Sequence, residues 1–144
     1  MMQNIIIFLL SLTVFSCGPT QRGTKSDVCD QFEVDIKKVW NAEVKLQVKA
    51  AAKTMFGGEA GVQKSEEIAT KMDLVTQDWV LLSKKACINH VQLEITTKEE
   101  YRKKTECLDK YLMLQRTLLL AIQNNQQAEV DSILEKLSGG LQCD

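Results

Sequence analysis

Helix-breaking residues are scarce in this chain, which has one proline and seven glycines among its 144 residues. Lys, Glu, Gln, Leu and Ala abound instead, a composition that favours helix over sheet. Eighteen basic residues oppose nineteen acidic ones, without the dense basic patches that nucleic-acid-binding proteins carry. The composition therefore predicts an all-α protein and gives no indication of a nucleic-acid partner.

The motifs of catalytic and metal sites are also missing. The single histidine, His90, follows Cys87 by three residues, and no C-x-x-C pair occurs. The glycine-rich stretch 57–61 lacks the Lys and Ser of a phosphate-binding loop, so we interpret it as a turn between helices. We predict no catalytic residue, no metal site and no cofactor, and we interpret His90 as structural. The scattered carboxylates leave a glycosidase-like pair open.

An apolar run near the start of the chain ends in Val14-Phe15-Ser16-Cys17. Its length fits the hydrophobic part of a signal peptide and is too short to span a membrane. Its end resembles the lipobox of bacterial lipoproteins, in which the cysteine is diacylated and the preceding peptide is removed. This resemblance implies a signal peptide at 1–16 and lipidation of Cys17. The alternative is an ordinary secretory signal cleaved near Ser16.

The lipoprotein resemblance also implies a location in the cell envelope. Gly18 follows the cysteine, where an Asp would retain such a protein at the inner membrane, so the outer membrane is favoured, facing the periplasm or the exterior. Residues 17–27 then form the lipidated cysteine and a flexible polar tether. Residues 28–144 suffice for one helical domain, and no second apolar run is long enough to cross a membrane.

Helical periodicity predicts four helices in this domain. The first, 28–56, shows strand-like alternation in its middle, but its run of three alanines favours helix. The second begins at the predicted N-cap Ser65 and continues to about Leu93. Thr97 and Glu100 form a capping box that opens the third, and the fourth covers 127–137. The fold class we expect is an antiparallel up-down bundle of about four helices.

The cysteines after Cys17 predict two disulfides, because an exported chain matures where thiols oxidise. They are Cys29, Cys87, Cys107 and Cys143. Three pairings are possible in principle. Cys87 and Cys107 lie ten residues on either side of Thr97, so a hairpin that turns there would place them at the same height. We predict the pair Cys87–Cys107, which leaves Cys29–Cys143 to join the ends of the domain.

The second predicted bridge needs some movement of the chain. Folding the first two helices about Ala60 places Cys29 near the height of Val91, while folding about Asn125 places Cys143 near Cys107. These heights differ by about 6 Å at the helical rise per residue, a gap that the tail after Gly140 could close. A zinc site is the alternative for four cysteines, but it is disfavoured by their spacing and by the export signal.

Several motifs resemble a helical region of myxobacterial serine/threonine kinases, which lies there between the kinase domain and a tetratricopeptide array. They are Val39-Trp40, 72–79 (MDLVTQDW), 85–87 (KAC) and 104–110 (KTECLDK). The resemblance covers about 29–120. It implies a helical module with paired cysteines outside the kinase domain, engaged in sensing or scaffolding. It carries over no catalytic residue, and Ser83, Thr76 and Thr105 depart from its arginine, aromatic and methionine.

Together these features predict a disulfide-stapled helical lipoprotein that is not an enzyme. Its expected function is to bind or scaffold an envelope protein partner through a helical surface. One alternative is an inhibitor or immunity protein that blocks another cell's enzyme, which would need loops shaped to plug a cleft. The other is a small periplasmic enzyme acting on cell-wall material, which would need a cleft with two close, desolvated carboxylates.

Overall fold

A computed structural model describes residues 25–143, with side chains from residue 28 onward. The predicted signal peptide, Cys17 and most of the tether lie outside the described residues. The described range contains five α-helices and no strand: α1 (Lys25–Lys37), α2 (Ala42–Phe56), α3 (Gly58–Cys87), α4 (Lys98–Gln123) and α5 (Gln127–Ser138). A π-helical turn, Ile88–Gln92, continues α3. The predicted all-α class and the antiparallel bundle are confirmed.

The first predicted helix, 28–56, is divided in two, so that prediction is wrong at its centre. Asn41 explains the break because its side chain caps both neighbouring helices. Its Oδ1 accepts hydrogen bonds from the backbone N–H groups of Glu43 and Val44, both at 3.0 Å. Its Nδ2 donates to the carbonyl of Lys37 at 2.9 Å. One polar side chain thus satisfies groups that a helix end leaves unpaired on either side of the break.

The turn between α2 and α3 is made at Gly57, which has a φ of 67°. α3 begins directly afterwards at Gly58, so the predicted start at Ser65 is wrong. Ser65 is buried inside α3, and its hydroxyl bonds the carbonyl of Val62 at 2.7 Å. Gly61 lets α3 approach α2 closely, since a Cβ there would lie 2.5 Å from the carbonyl oxygen of Lys53.

The second half of the bundle follows the sequence predictions closely. The capping box at Thr97 and Glu100 is present, with both reciprocal hydrogen bonds formed. α4 ends where Asn125 turns the chain with a φ of 55°. α5 covers 127–138 and buries the stripe that its periodicity predicts, namely Val130, Ile133, Leu134 and Leu137.

The core divides into two clusters along the bundle axis. The larger one lies where α2, the first half of α3, the end of α4 and α5 meet. The smaller one joins α1, the second half of α3, the first half of α4 and the C-terminal tail. Trp79 belongs to the smaller cluster and donates its indole N–H to the carbonyl of Leu108 at 3.1 Å. Phe32 of α1 meets this ring edge-on at 5.8 Å.

Two disulfides close the smaller-cluster end of the bundle. They join Cys29 to Cys87, with Cα atoms 5.6 Å apart, and Cys107 to Cys143, with Cα atoms 5.7 Å apart. All four cysteines are bridged, but the predicted pairs Cys87–Cys107 and Cys29–Cys143 are wrong.

The position of each turn explains the observed pairs. Cys29 lies 28 positions before Gly57 and Cys87 lies 30 positions after it, so these cysteines are level across the α1/α2–α3 hairpin. A turn at Ala60, as predicted from the sequence, would instead place Cys29 level with Val91 and not with Cys87. Cys107 and Cys143 each lie 18 positions from Asn125, and are level across the last hairpin. Cys87 and Cys107 share a height as well, but equal height does not make two side chains face each other.

Candidate functional site: a groove between α1 and α3

A groove of about 870 Å³ runs between α1 and α3. Its apolar lining includes Ile36 and Trp40 from the α1 side and Val80, Leu81 and Ile88 from the α3 side. Ile36 and Trp40 are buried, whereas Leu81 is 66% exposed. A volume in this range is typical of ligand sites, and an exposed leucine beside buried apolar residues leaves a surface that another molecule can cover.

The groove arises from the break between α1 and α2. Trp40 stands in the segment between the two helices, directly before the cap Asn41, and both residues line the groove. A continuous helix over 28–56, as the sequence predicted, would have packed one unbroken face along α3. The break therefore creates a surface that helical periodicity alone does not reveal.

Polar interactions hold the Trp40 end of the groove. The indole N–H of Trp40 donates to Asp73 Oδ1 at 2.8 Å, and the ammonium of Lys45 pairs with Asp73 Oδ2. Burial raises the pKa of Asp73, but the hydrogen bonds from Lys45 and Trp40 outweigh that effect and leave the pKa below its usual value. The carboxylate thus stays charged and joins α2, α3 and the connecting segment.

A second set of polar interactions lies further along α3. The ammonium of Lys84 contacts Asp30 at 2.8 Å and Glu33 at 2.9 Å, which ties α3 to α1. Hydrogen bonds from these two carboxylates raise the pKa of Lys84 to about 12. The rim of the groove also carries Lys37 and Lys85. The groove is therefore apolar along its length and bordered by charges of both signs, with Lys37 and Lys85 outside the ion pairs of Lys84.

The carboxylates with perturbed pKa values are all shifted downward in the part of the chain that the structure describes. They are Asp35, Glu66, Glu67, Asp73 and Glu100. Hydrogen bonds from neighbouring lysines, from the Trp40 indole or from the Thr97 backbone stabilise the charged forms in each case. A general acid at neutral pH needs the opposite shift.

His90 lies in the π-helical turn and is half-buried. Its ring stacks on Tyr101 with centroids 4.5 Å apart, and its Nδ1 lies 3.1 Å from the carbonyl oxygen of Thr96. Cys87, three residues earlier, is bridged to Cys29 and has no thiol to pair with the imidazole. These contacts give His90 a packing role at the α3–α4 connection.

The other predicted site residues are distributed as follows. Cys17, the predicted lipidation site, lies outside the described residues. Trp40 and Trp79, the tryptophans of the motifs that resemble the kinase region, are both buried, although Trp40 also borders the groove. Within residues 25–143, no three His, Cys, Asp or Glu side chains come together as a metal site would require. Over the same range, no helix has the length and apolar character needed to cross a bilayer.

Sequence reasoning missed the groove, although one signal for it was present. Leu81 on α3 and Ile88 in the π-helical turn lie seven residues apart and fall outside the apolar stripe that packs into the bundle. A second stripe of this kind indicates another surface to be covered.

No protein-family model, no curated protein and no solved structure matches this chain.

Proposed function

We propose that this chain is a lipid-anchored envelope protein whose helical domain binds an amphipathic helix of a partner protein without catalysing a reaction. The observation that carries the proposal is the groove between α1 and α3. The envelope location rests on the lipobox resemblance at Cys17. The resemblance of 29–120 to the helical region of the kinases adds the expectation of a scaffolding module.

The dimensions of the groove favour a helix as its occupant. The lining residues of α3 and the π-helical turn extend from Thr76 to Asn89, a distance of about 20 Å at the helical rise per residue. Three to four turns of a partner helix, about 10–12 Å wide, match that length. Such helices bind with apolar side chains spaced three or four residues apart, and Ile36, Leu81 and Ile88 offer the matching apolar surface.

The rim defines the charge of the partner. Lys37 and Lys85 are exposed beside the groove, whereas Asp30 and Glu33 balance the charge of Lys84, which contacts both. A helix with acidic residues flanking its apolar stripe would complement the exposed lysines, which favours a specific register and faster association. The expected partner is thus an acidic amphipathic segment of an envelope protein.

Photo-crosslinking in living cells tests this proposal. A benzophenone amino acid placed at Leu81 should crosslink the partner, whereas the same group at Leu46 should not. Leu46 is the matched control, because it is 70% exposed on α2 and lies outside the groove. Mass spectrometry of the crosslinked peptide should identify an amphipathic helix.

A synthetic peptide of that helix should then bind the purified domain. Burial of one leucine side chain contributes about 1.5–3 kcal/mol, so Leu81→Glu should weaken binding by roughly tenfold or more. Leu46→Glu should leave the affinity unchanged. Equal crosslinking at both positions, or turnover of a cell-wall fragment that Leu81→Glu abolishes, would contradict the proposal.

The anchor is tested separately. The mature protein should carry diacylglycerol on Cys17, visible as added mass on its N-terminal peptide. Cys17→Ala should release the protein from the membrane fraction, and unchanged membrane association of this variant would refute the anchor.

A further inference from the structure

The turn that follows the π-helical turn places two apolar side chains in solvent. Leu93 is 57% exposed and Ile95 is 67% exposed. Glu94 between them has a φ of 54°, so the chain reverses sharply at this point. Neither apolar residue belongs to the two core clusters. We refer to Leu93 and Ile95 as the apolar tip.

The apolar tip lies at the end of the bundle to which the N-terminal segment leads. The bridge from Cys29 to Cys87 fixes the start of α1 beside the end of α3. Because the two helices are antiparallel, Lys25 lies about level with Val91. Val28, on the first turns of α1, is also 57% exposed at this end.

The length of chain before α1 limits how far this end can lie from an anchor at Cys17. Seven residues lie between Cys17 and Lys25, and the eight steps from one to the other can span at most about 27 Å. The opposite end of the bundle, at Gly57, lies about 45 Å further along α3 at the helical rise per residue. An acyl group on Cys17 would therefore hold the apolar tip, and not the Gly57 end, near the bilayer.

Basic residues from the end of α3 and the start of α4 lie beside the apolar tip. Between Lys84 and Lys104 the chain has six Lys and Arg residues against three Glu. Salt bridges already engage part of this charge. Lys84 pairs with Asp30 and Glu33 of α1, and Arg102 pairs with Glu99 and Glu106. Lysines of this cluster surround a small cavity of about 400 Å³ behind the tip, namely Lys85, Lys103 and Lys104. Basic residues beside an apolar edge are typical of segments that bind bilayer surfaces.

We propose that Leu93 and Ile95 insert into the surface of the bilayer that anchors Cys17, so that the bundle stands on this end. The inference rests on the proposed lipid anchor. In this orientation the groove between α1 and α3 runs outward from the bilayer, with Ile88 near the headgroups and Trp40 farther away. A partner helix bound there would lie along the membrane normal.

Fluorescence depth measurements test the orientation. The full-length lipidated protein is reconstituted in phosphatidylethanolamine/phosphatidylglycerol vesicles whose acyl chains carry bromine. The emission maximum of the tryptophan introduced by Ile95→Trp should shift to shorter wavelength when the protein is bound to these vesicles. Because interfacial side chains reach about 5–10 Å below the headgroup level, its bromine quenching should exceed that of Leu46→Trp by roughly threefold. Trp40 and Trp79 are buried and provide a constant background.

A second measurement needs no substitution in the tip. Amide hydrogen exchange of the wild-type protein should slow at residues 88–97 when vesicles are present and stay unchanged at the Gly57 turn. In Leu93→Ser/Ile95→Ser this slowing should disappear, while the non-reducing peptide map still shows both disulfides.

The outcomes separate the tip from the anchor. If Cys17 is acylated but quenching is equal at positions 95 and 46, membrane insertion of the apolar tip is refuted and the lipid anchor is retained. Absence of the acyl group would overturn both. A crosslink from position 95 to a protein, without lipid quenching, would assign the tip to a protein partner and overturn the membrane assignment.

Discussion

Removal of the bridge between Cys29 and Cys87 is expected to cost about 4 kcal/mol of unfolding free energy. The bridge joins residues 58 positions apart, and closing a loop of that length removes about 14 cal/mol/K from the unfolded chain, or about 4 kcal/mol at 25 °C. Alanine is the suitable replacement because both side chains are buried. Cys29→Ala/Cys87→Ala should lower the melting temperature by roughly 10–20 °C.

A second double variant provides the matched control. Cys87→Ala/Cys107→Ala also removes two sulfur atoms, but it breaks both bridges and leaves Cys29 and Cys143 without their native partners. The second bridge, which spans 36 positions, contributes about 4 kcal/mol by the same reasoning, so the expected loss is about 8 kcal/mol. That loss is comparable with the total stability of many domains, and this variant should be largely unfolded at 37 °C.

Guanidinium unfolding without reductant measures both variants, and a non-reducing peptide map identifies the remaining bridge. The pairing predicted from the sequence would give the two variants the opposite order of stability. Under that pairing Cys29→Ala/Cys87→Ala would break both bridges, and Cys87→Ala/Cys107→Ala would break only one. If Cys87→Ala/Cys107→Ala proves the more stable of the two, or retains a Cys29–Cys143 bridge, the observed pairing and the entropy argument built on it are refuted.

Three further predictions concern the bundle itself. Gly61→Ala should lower the free energy of unfolding, measured in urea, by about 1–3 kcal/mol, because the new methyl group meets the backbone of α2. The control Gly139→Ala places its methyl group in open space and should stay within about 0.5 kcal/mol of wild type. Asn41→Ala should lower the free energy of unfolding by about 1 kcal/mol, measured by thermal melting, since it removes the cap of α2. Asp73 has a lowered pKa in the folded state. Its stabilising contribution is therefore complete above its unfolded pKa of about 4 and is lost as the pH falls below that value. The free energy of unfolding measured below about pH 4 should be less pH-dependent in Asp73→Asn.

Local signals predicted the second half of the bundle well. The capping box of Thr97 and Glu100 and the turn at Asn125 involve residues within a few positions of each other. α5 shows one unambiguous apolar stripe. Such features are determined by neighbours in the sequence, so they can be identified without knowledge of the tertiary fold.

Prediction of the first half of the bundle failed where tertiary contacts outweigh the local preferences of the sequence. α3 continues through Gly61, which costs helix propensity but permits the close approach to α2. That extension moves the turn to Gly57, and a shift of three residues is enough to change which cysteines are level. The break at Asn41 depends on one side chain bonding in both directions, and the groove follows from that break. Neither could be derived from periodicity.

The positions of the disulfides and of the groove are physically connected. Both bridges lie at the end with the smaller core cluster, where α1 and the C-terminal tail pack. A covalent link holds α1 against α3 without requiring that every apolar side chain between them be buried. Leu81 can therefore remain exposed beside buried Ile36, a gap that packing forces alone would tend to close in an unbridged helix pair. The bridge between Cys29 and Cys87 therefore allows the groove between α1 and α3 to stay open.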